Sequence, residues 1–466
     1  MTGSTIQAGP GVTLARFLSD LSYEDIPPDV VATAKLCVLD TLGVGLTASR
    51  RPWTRMVVGM AREAGGTPVS AVWGHGFRTS PQLAALANGT AAHGIEMDDR
   101  IPTAELHPGS MVVPAALAVA EAARMAGREL LAAVVAGYEA GIRVGYAVRT
   151  RPGIHSPGHK GVWATVAAAG RALGLDAQGM QDAFGLAGSM ASGITEFSQD
   201  SRGTMVKRLH GGLAAQHGVL AAQLAGRGVT GPASVLDGIY GYCRVFGADV
   251  DEIDLDELTV ELGRAWRITD RELKPYAAWG GSHTVIDAIG KILAESAPRP
   301  GDVAAVEVAG SSRLLVQHDL ARPRSIMAAQ YSLPFLTATA LCRGADALTS
   351  PDEVWTEDLL DDPDILRLAA LVELRVDAEM DEIFRRERTY GGARVRVRLR
   401  DGSERAAVVY HSRGTTKNPM SREEIHAKFT RLAGGVLGER RARELLTTVD
   451  DLEHLVDVGE LTDLVS

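Results

Sequence analysis

Residues 137–145 read Gly137-Tyr-Glu-Ala-Gly-Ile-Arg-Val-Gly145, so that a glycine recurs every fourth residue. Residues four positions apart lie on one face of an α-helix. The three glycines therefore predict a smooth helix face that another helix can approach closely, rather than a ligand site. This stretch favours a fold built from tightly packed helices, and the 51 glycines of the chain agree with it.

Apolar residues at three- and four-residue spacing extend the helical pattern from Pro28 to about residue 268. The first predicted helix begins at Pro28 and ends near Gly43-Val44-Gly45. Short turns containing glycine or proline separate the segments that follow. Further helices are predicted over residues 55–65, 81–95, 112–126, 129–148, 161–173, 177–194 and 211–226. We interpret residues 1–268 as a large, all-helical domain.

The pattern changes after about residue 269. Asp302 to Gly310 and Val372 to Val376 alternate as strands do, and a hairpin turning at Asp401-Gly402 joins residues 393–400 to 403–410. Arginine occupies every second position before this turn, which indicates a solvated sheet face opposite a buried Val/Leu face. With an apolar helix over residues 330–341, residues 269–411 predict a smaller α+β domain.

The C-terminal residues, 412–466, return to a helical pattern. Ser421 and Glu424 form a capping box at the start of the first of these helices. Because helix precedes and follows the α+β segment, we expect the C-terminal helices to rejoin the helical domain. The predicted fold class is mainly α, with a large helical domain and a smaller α+β lid domain.

Charge and cysteine content exclude several classes of protein. The chain has 48 Lys+Arg against 58 Asp+Glu, a net charge of −10, which argues against general nucleic-acid binding. Its three cysteines are widely separated, so no disulfide framework or iron–sulfur spacing is present. The N-terminal residues lack the features of a signal peptide, and uncharged apolar stretches such as 109–120 are too short to span a bilayer. A soluble, cytoplasmic protein without membrane or nucleic-acid partners is expected.

Histidines and cations recur in Gly/Pro loops at predicted helix starts. Backbone N–H groups and the helix dipole favour anions at such places. Lysine binds carboxylates as a compact charge, and histidine moves protons near neutral pH. Several cations in an otherwise acidic chain therefore predict a pocket for a small polyanion. The residues are His107, His155, His159, Lys207, Arg208, His210, Lys274 and Tyr276.

A metal site is the competing interpretation. The spacing of His155 and His159 would suit a zinc pair on a helix, but Pro157 and Gly158 between them indicate a loop. No HExxH motif accompanies them. We therefore expect no metal and no organic cofactor.

Several blocks of this sequence resemble the signature blocks of the MmgE/PrpD family. Weaker similarities lie at residues 40–43, 187–193, 331–335 and 418–419, and the whole set occurs in family order from about residue 12 to 430. The stronger blocks are Asn88-Gly-Thr-Ala-Ala-His-Gly-Ile-Glu-Met-Asp-Asp99, His107-Pro-Gly, Lys207-Arg-Leu-His and Lys274-Pro-Tyr. The family includes 2-methylcitrate dehydratase, cis-aconitate decarboxylase and iminodisuccinate epimerase.

The resemblance implies a homodimer and catalysis without metal or organic cofactor, on small di- or tricarboxylates. It places His107, His155, Lys207 and Lys274 in a cleft between the two domains. Within that assignment, His107 is the choice for proton transfer, with His155 as its partner or as a substrate clamp. The lysines would hold carboxylates and stabilise the intermediate. Further substrate-binding candidates are Glu96, Asp99, Arg100, Arg208 and Tyr276.

The chain departs from the family pattern at two positions that bear on the reaction. The family's Asp-Phe-Asp-Asp-Thr is Glu96-Met-Asp-Asp-Arg100 here, and its Ser-Leu-Pro-Tyr ends in Phe335. If both side chains face the cleft, Arg100 adds a fork for another carboxylate and Phe335 removes a hydrogen-bond donor. Such a site should retain carboxylates, so we expect little decarboxylation of cis-aconitate.

These observations predict a cofactor-independent hydro-lyase acting on a hydroxylated di- or tricarboxylate such as 2-methylcitrate. An isomerase or epimerase would use the same deprotonation, followed by reprotonation on the other face. A protein of another class, which binds polycarboxylates without turnover, would keep only the anion pocket.

Overall fold

Helices form most of the chain in the computed structural model, which describes residues 9–198, 204–315 and 319–466. The N-terminal residues 1–8, where the sequence predicts no signal peptide, lie outside the described residues. The first part contains α1 Pro10–Asp20, α2 Pro28–Ser49, α3 Pro52–Ala64, β1 Ser70–Val72, β2 Phe77–Thr79, α4 Pro81–Ala92, α5 Gly109–Ala122, α6 Gly127–Ala147, α7 Ser156–Ala172, α8 Ala177–Ala187, α9 Val206–Ala225 and α10 Tyr242–Phe246.

The second part carries the larger sheet. Its elements are α11 His283–Ser296, β3 Val303–Gly310, α12 Ser312–Leu315, α13 Ile326–Tyr331, α14 Leu333–Arg343, α15 Pro351–Val354, α16 Pro363–Ala369, β4 Val372–Val376, α17 Ala378–Glu387, β5 Ala393–Leu399 and β6 Glu404–Val409. Three helices end the chain, namely α18 Arg422–Leu437, α19 Glu439–Asp450 and α20 Gly459–Val465. The protein is therefore mainly helical, as predicted.

The glycine face of α6 is packed as its spacing predicts. A Cβ atom on Gly141 would lie 2.6 Å from the Cβ of Ala164 in α7, and one on Gly137 would lie 2.8 Å from the Ala164 carbonyl oxygen. Gly145 faces Ala104 equally closely. Only a residue without a side chain permits this approach between α6 and its neighbours.

The larger sheet has the strand order β4-β3-β5-β6, in which only the β3–β4 pair is parallel. Val395 and Val397 of β5 are fully buried, whereas Arg396 and Arg398 between and after them are exposed. Helix α11 packs against β5 and β6 on the buried side. The predicted hairpin and its two faces are confirmed.

Two apolar clusters make up the interior. The first runs from Leu14 to Ile268 and includes residues of α18, α19 and α20. The second is built from residues 276–409, joined by Val44, Ala91, Ile95 and Met97 from the first part. The C-terminal helices therefore pack with the first part of the chain, and the segment around residues 91–97 touches the second cluster. The domain limits at residues 268 and 411 stay an interpretation.

Four local predictions are corrected by the structure. Helix α2 continues through its glycines to Ser49, because Gly43 lies against Phe429 and Gly45 against Trp73, where helix packing needs small residues. The first part is not all-helical, since β1 and β2 pair as a short hairpin. Helix α9 begins at Val206 rather than at residue 211. His159 lies in α7 rather than in a loop, since Pro157 in the first turn is compatible with a helix.

Two helices are long and apolar enough to span a membrane by length and composition, α2 and α6. Their most apolar windows are 78% and 94% buried inside the protein, respectively. Burial of this kind is typical of the core helices of a folded domain.

Candidate active site

The acidic run Glu96, Asp98 and Asp99 lies between α4 and α5. Glu96 has a positive φ of 59°, a backbone conformation that non-glycine residues seldom adopt and that is often found at functional sites. Lys428 of α18 donates a hydrogen bond from Nζ to the Met97 carbonyl oxygen at 2.9 Å, which ties the C-terminal helix to this run. The three carboxylates point to three different sets of partners.

Glu96 binds three cations. Its carboxylate pairs with Lys207, with Arg208 at 2.6 Å and with Lys274 at 3.6 Å, and all four side chains are buried. Burial would raise the pKa of Glu96, but the three cations outweigh burial and hold it well below its usual range. Burial lowers the pKa of Lys207 although Glu96 opposes that shift.

Asp98 joins the cations to the histidines. One carboxylate oxygen accepts a hydrogen bond from Lys274 at 3.0 Å, and the other lies 2.6 Å from His93 Nδ1 and 3.2 Å from His107 Nδ1. Burial would raise the pKa of Asp98, yet Lys274 and both histidines hold it well below its usual value. We call Glu96, Asp98, Lys207, Arg208 and Lys274 the ion-pair cluster.

Four histidines form a row beside this cluster, in the order His107, His93, His155, His210. Successive ring centroids are 5.4, 6.0 and 4.7 Å apart. At the far end, the Nδ1 atoms of His155 and His210 lie 2.7 Å apart. We call these four residues the histidine row. It draws on the α4–α5 connection, the N-cap of α7 and the first turn of α9.

Hydrogen bonds assign the tautomer of the first two rings. The Nδ1 atom of His107 lies 2.7 Å from the Asp99 carbonyl oxygen, and the Nδ1 atom of His93 faces Asp98. Since oxygen acceptors face both Nδ1 atoms, these nitrogens carry the protons and Nε2 keeps its lone pair. His93 Nε2 has no hydrogen-bond partner among the described residues.

The histidine row is held neutral. Burial lowers the pKa of His93 to about 3 and that of His210 to about 4, with Lys207 adding to both shifts. Burial lowers the pKa of His107 as well, although Asp98 opposes the shift. His155 is shifted well below its usual pKa by burial, Lys207 and His210. Neutral imidazoles with free Nε2 lone pairs are proton acceptors.

The second part of the chain completes the site. Gln330 of α13 accepts a hydrogen bond from Arg208 at 2.8 Å and donates to the Ile95 carbonyl oxygen at 3.1 Å. The ring of Tyr331 lies 5.8 Å from Lys207 Nζ. Both residues connect α13 to the ion-pair cluster.

Three predicted substrate-binding residues have partners outside the cluster. Asp99 accepts hydrogen bonds from the Gly109 N–H at 2.8 Å and from the Tyr138 hydroxyl at 2.6 Å, which anchors the start of α5. The hydroxyl of Tyr276 donates to Asp287 at 2.7 Å, within the second part of the chain. The Nε atom of Arg100 donates to Glu272 at 2.9 Å. These contacts give all three residues a structural role.

The position of Phe335 corrects one expectation. Its side chain is completely buried in α14, within the second apolar cluster. It therefore does not face a cleft, because the apolar face of α14 is used to pack the second part of the chain. Arg100 lines a cavity of about 50 Å³ with Tyr390 and His411. Its Nε donates to Glu272, whereas its Nη1 has no hydrogen-bond partner among the described residues.

Sequence reasoning gave no role to four residues of the site. His93 and Asp98 stand inside the block Asn88–Asp99. Gln330 directly precedes the block at residues 331–335, and Tyr331 is the first residue of that block. Their partners are more than 100 residues away in the chain, and no local spacing reports such a contact.

His93, Asp98 and His107 offer ligand atoms that all lie within 4.8 Å of one another, a set that could hold a metal ion. In this structure both Nδ1 atoms face the same Asp98 oxygen at hydrogen-bonding distances. Nitrogens that donate to a carboxylate have no lone pair to offer a shared ion. The hydrogen-bonded arrangement therefore accounts for the cluster.

Comparison with known proteins agrees with this architecture. The chain matches the MmgE/PrpD N-terminal domain over residues 12–252 and the MmgE/PrpD C-terminal domain over residues 276–454. It is 28% identical to a cis-aconitate decarboxylase of Aspergillus terreus, covering 99% of this chain and 97% of the relative. It is 30% identical to the cis-aconitate decarboxylase-like protein oryM of Aspergillus oryzae, covering 100% and 99%. A cis-aconitate decarboxylase of Mus musculus is 27% identical, over 97% of this chain and 92% of the relative. The chain belongs to the MmgE/PrpD family, and it is an enzyme of that family.

Proposed function

We propose that this enzyme is a cofactor-independent lyase that removes a proton next to a carboxylate of a small hydroxylated tricarboxylate and then expels water. The observation that carries the proposal is the fixed tautomer of His107. Its Nδ1 proton is held by the Asp99 carbonyl oxygen and Asp98, so its Nε2 lone pair is available beside the ion-pair cluster. The His107 side chain is also 19% exposed, whereas His93 is fully buried.

The ion-pair cluster supplies the charge that such a reaction needs. Removing a proton next to a carboxylate gives an aci-carboxylate dianion, which buried cations stabilise more strongly than water does. Lys207, Arg208 and Lys274 outnumber Glu96 and Asp98, so the cluster keeps one positive charge while the histidines are neutral. Substrate carboxylates would replace Glu96 as the partners of these cations.

Expulsion of hydroxide requires an acid as well as a base. We assign that role to His155, the third member of the histidine row, which is separated from His107 by His93. Protons would thus be taken and given at two separated points.

Decarboxylation of a tricarboxylate such as cis-aconitate is the second candidate, because relatives covering nearly the whole chain carry that name. The expectation of little decarboxylation depended on Arg100 and Phe335 facing the cleft. Because Phe335 lies in an apolar core, the Phe335 part of that argument no longer opposes this activity, and the Nε of Arg100 is already bonded to Glu272.

One assay separates the candidates. The purified enzyme is incubated in D₂O with 2-methylcitrate, citrate or cis-aconitate, while enoate absorbance, released carbon dioxide and deuterium in recovered substrate are followed. Absorbance growing from a hydroxy acid supports dehydration, and carbon dioxide from cis-aconitate supports the second candidate. Deuterium exchange with neither product indicates an isomerase or epimerase. Thermal stabilisation by these compounds with no turnover or exchange at all would contradict both lyase proposals.

Cofactor independence is tested by dialysis against a chelator. We expect turnover to persist after dialysis, because the proposed base and charge stabilisers are side chains of this chain. Loss of activity that a divalent ion restores would instead assign His93, Asp98 and His107 to a metal.

We further propose that residues 269–411 act as a lid over the site. Gln330 and Tyr331 of that part contact Arg208 and Lys207, so its movement would open the ion-pair cluster. A homodimer and a cytoplasmic location are proposed from the family resemblance. Light scattering should give twice the chain mass of 49.3 kDa, and a monomer mass would refute the dimer.

A further inference from the structure

The hydrogen bond between His155 and His210 differs from the other contacts of the histidine row. It joins two Nδ1 atoms at 2.7 Å. A neutral imidazole carries one N–H, so one of these nitrogens donates and the other accepts. The two rings are therefore in opposite tautomers. In one state His155 donates from Nδ1 and its Nε2 has a lone pair. In the other state His210 donates from Nδ1, and His155 carries its proton on Nε2.

Among the described residues, no oxygen atom fixes which of the two tautomer states is present. In the part of the chain that the structure describes, the only side-chain hydrogen bond of His155 and of His210 is the one they share. His107 offers the contrast, because an Asp99 carbonyl oxygen and Asp98 both face its Nδ1. One end of the row thus has a fixed tautomer, and the other end can exchange its tautomer.

We propose that His210 is a positioning residue that sets the proton position of His155 by sharing one proton between their Nδ1 atoms. This inference rests on the proposed function in assigning proton transfer to His155. His210 touches His155 and does not itself need to reach the substrate.

The packing around the two rings holds them at this distance. The ring of Phe197 meets His155 edge-on at 5.0 Å and His210 at 5.9 Å. A Cβ atom on Gly158 would lie 3.3 Å from the Cβ of His210, so the missing side chain lets the start of α9 approach the start of α7. Both rings are nearly completely buried.

The charged and titratable groups that face the pair favour a single shared proton. Lys207 comes from the same turn of α9, His93 and His107 from the α4–α5 connection, and His159 from α7. Lys207 disfavours a further positive charge on either ring. Moving the shared proton from one Nδ1 to the other leaves both rings neutral when one Nε2 loses a proton and the other gains one in the same step.

The proton balance of one cycle follows from this sharing. His155 begins with Nε2–H and accepts at Nδ1 the hydrogen bond that Nδ1–H of His210 donates. As His155 gives its Nε2 proton to the leaving hydroxyl, the shared proton passes to its Nδ1, and His210 takes a proton from solvent at Nε2. Both rings stay neutral, while the substrate proton leaves through His107. The reverse transfers with solvent restore the starting tautomers before the next turnover.

Nuclear magnetic resonance of ¹⁵N-histidine-labelled enzyme without ligand tests the tautomers directly. Long-range spectra distinguish bare from protonated ring nitrogens. We expect His155 and His210 to show complementary or mutually averaged tautomers, assigned by loss of signals in His210→Asn. Two rings that both have a bare Nδ1, or both a protonated one, would overturn the proposal. This measurement needs no substrate, so its failure is separate from failure of the proposed function.

Kinetics test the consequence, with 2-methylcitrate and cis-aconitate as substrates. His210→Phe removes the shared proton and should lower kcat by about 10²-fold, the scale of a general acid–base contribution, with KM nearly unchanged. His210→Asn can bond Nδ1 of His155 but cannot carry its proton, so it should recover only part of kcat and alter the pH profile of kcat.

His217→Asn is the matched control, because His217 lies on the same helix and bonds the Met190 carbonyl oxygen at 3.0 Å, away from the row. Its kcat should equal that of the wild type. If both His210 variants lose no more kcat than His217→Asn, or recover it fully on stabilisation by lower temperature, His210 is structural and the proposal is wrong.

Discussion

The histidine row and the ion-pair cluster lie side by side and bury polar groups in different ways. The ion-pair cluster keeps its charges and compensates them, since Glu96 and Asp98 together contact Lys207, Arg208 and Lys274. The histidine row loses its charges, because burial and the neighbouring lysine depress its pKa values. The difference separates the two tasks of the proposed reaction, since permanent cations bind carboxylates while neutral imidazoles move protons.

Among the described residues, Asp98 is the one whose carboxylate pairs with both a lysine of the ion-pair cluster and histidines of the row, so its replacement should have the largest effect. Asp98→Asn cannot accept hydrogen bonds from both histidines and from Lys274, and His107 would lose its orientation. We expect kcat to fall on the order of 10³-fold, as in other enzymes whose orienting carboxylate is removed. Steady-state kinetics of the folded variant give the value.

Asp99→Asn is the control for this variant. Burial raises the pKa of Asp99 to about 7, so this carboxyl is about half protonated at neutral pH and a neutral amide is a smaller change here than at Asp98. It should change stability more than kcat. Equal losses of kcat in Asp98→Asn and Asp99→Asn would mean that Asp98 does not orient His107 for catalysis.

His159→Gln tests whether burial alone can neutralise a histidine. His159 packs against Phe246 outside the row, and burial lowers its pKa to about 4. In the unfolded chain the histidine pKa is about 6.5, so between pH 6.5 and pH 4 the unfolded state binds a proton at His159 that the folded state does not. The protein therefore loses stability as the pH falls from 6.5 towards 4. In His159→Gln the free energy of unfolding should therefore fall by about 3 kcal/mol less between pH 6.5 and pH 4 than it does in the wild type. Urea unfolding on both sides of the window measures this, and an unchanged slope would refute the depressed pKa.

Lys207→Met tests the ion-pair cluster alone. Loss of one carboxylate anchor should raise KM by about 10²-fold, roughly 2.7 kcal/mol. The change in kcat should be smaller, because Arg208 and Lys274 remain to stabilise the dianion. Lys291→Met, on an exposed lysine of α11, is the control and should leave KM unchanged. A large fall in melting temperature with an unaltered KM would make Lys207 a structural cation at the start of α9.

Phe335→Tyr should have the smallest effect on catalysis. The side chain lies in an apolar core, so a hydroxyl placed there loses water without gaining an acceptor and should destabilise the protein by about 1–3 kcal/mol. The KM of each tricarboxylate should stay the same. A selective change in KM, measured beside denaturant unfolding, would return Phe335 to the substrate site.

Local sequence signals predicted the elements whose formation depends on local chemistry. The Asp401-Gly402 turn and the alternation before it specify the hairpin, and Ser421 with Glu424 specifies the start of α18. The end of α2 was not predictable, because glycines that usually end helices are here required by the packing of Phe429 and Trp73. That requirement arises from residues far away in the chain.

The site shows the same division. The family resemblance identified His107, Lys207 and Lys274, which the structure brings together around Asp98 and Glu96. It also identified His155, which lies beside His93 in the histidine row. The sequence could not predict that Arg100 pairs with Glu272 and Tyr276 with Asp287, because a polar side chain in a motif can face either a substrate or an internal partner. Only the fold decides between them.

The separation of proton transfer from carboxylate binding is tested most directly by solvent exchange. Deuterium incorporation into a tricarboxylate that turns over is measured in D₂O at saturating concentration, for the wild type, His107→Gln and Lys207→Met. We predict that Lys207→Met regains most of the wild-type exchange rate once it is saturated, whereas His107→Gln shows little exchange at any concentration. Full exchange by His107→Gln, with loss of exchange in saturated Lys207→Met, would contradict the account.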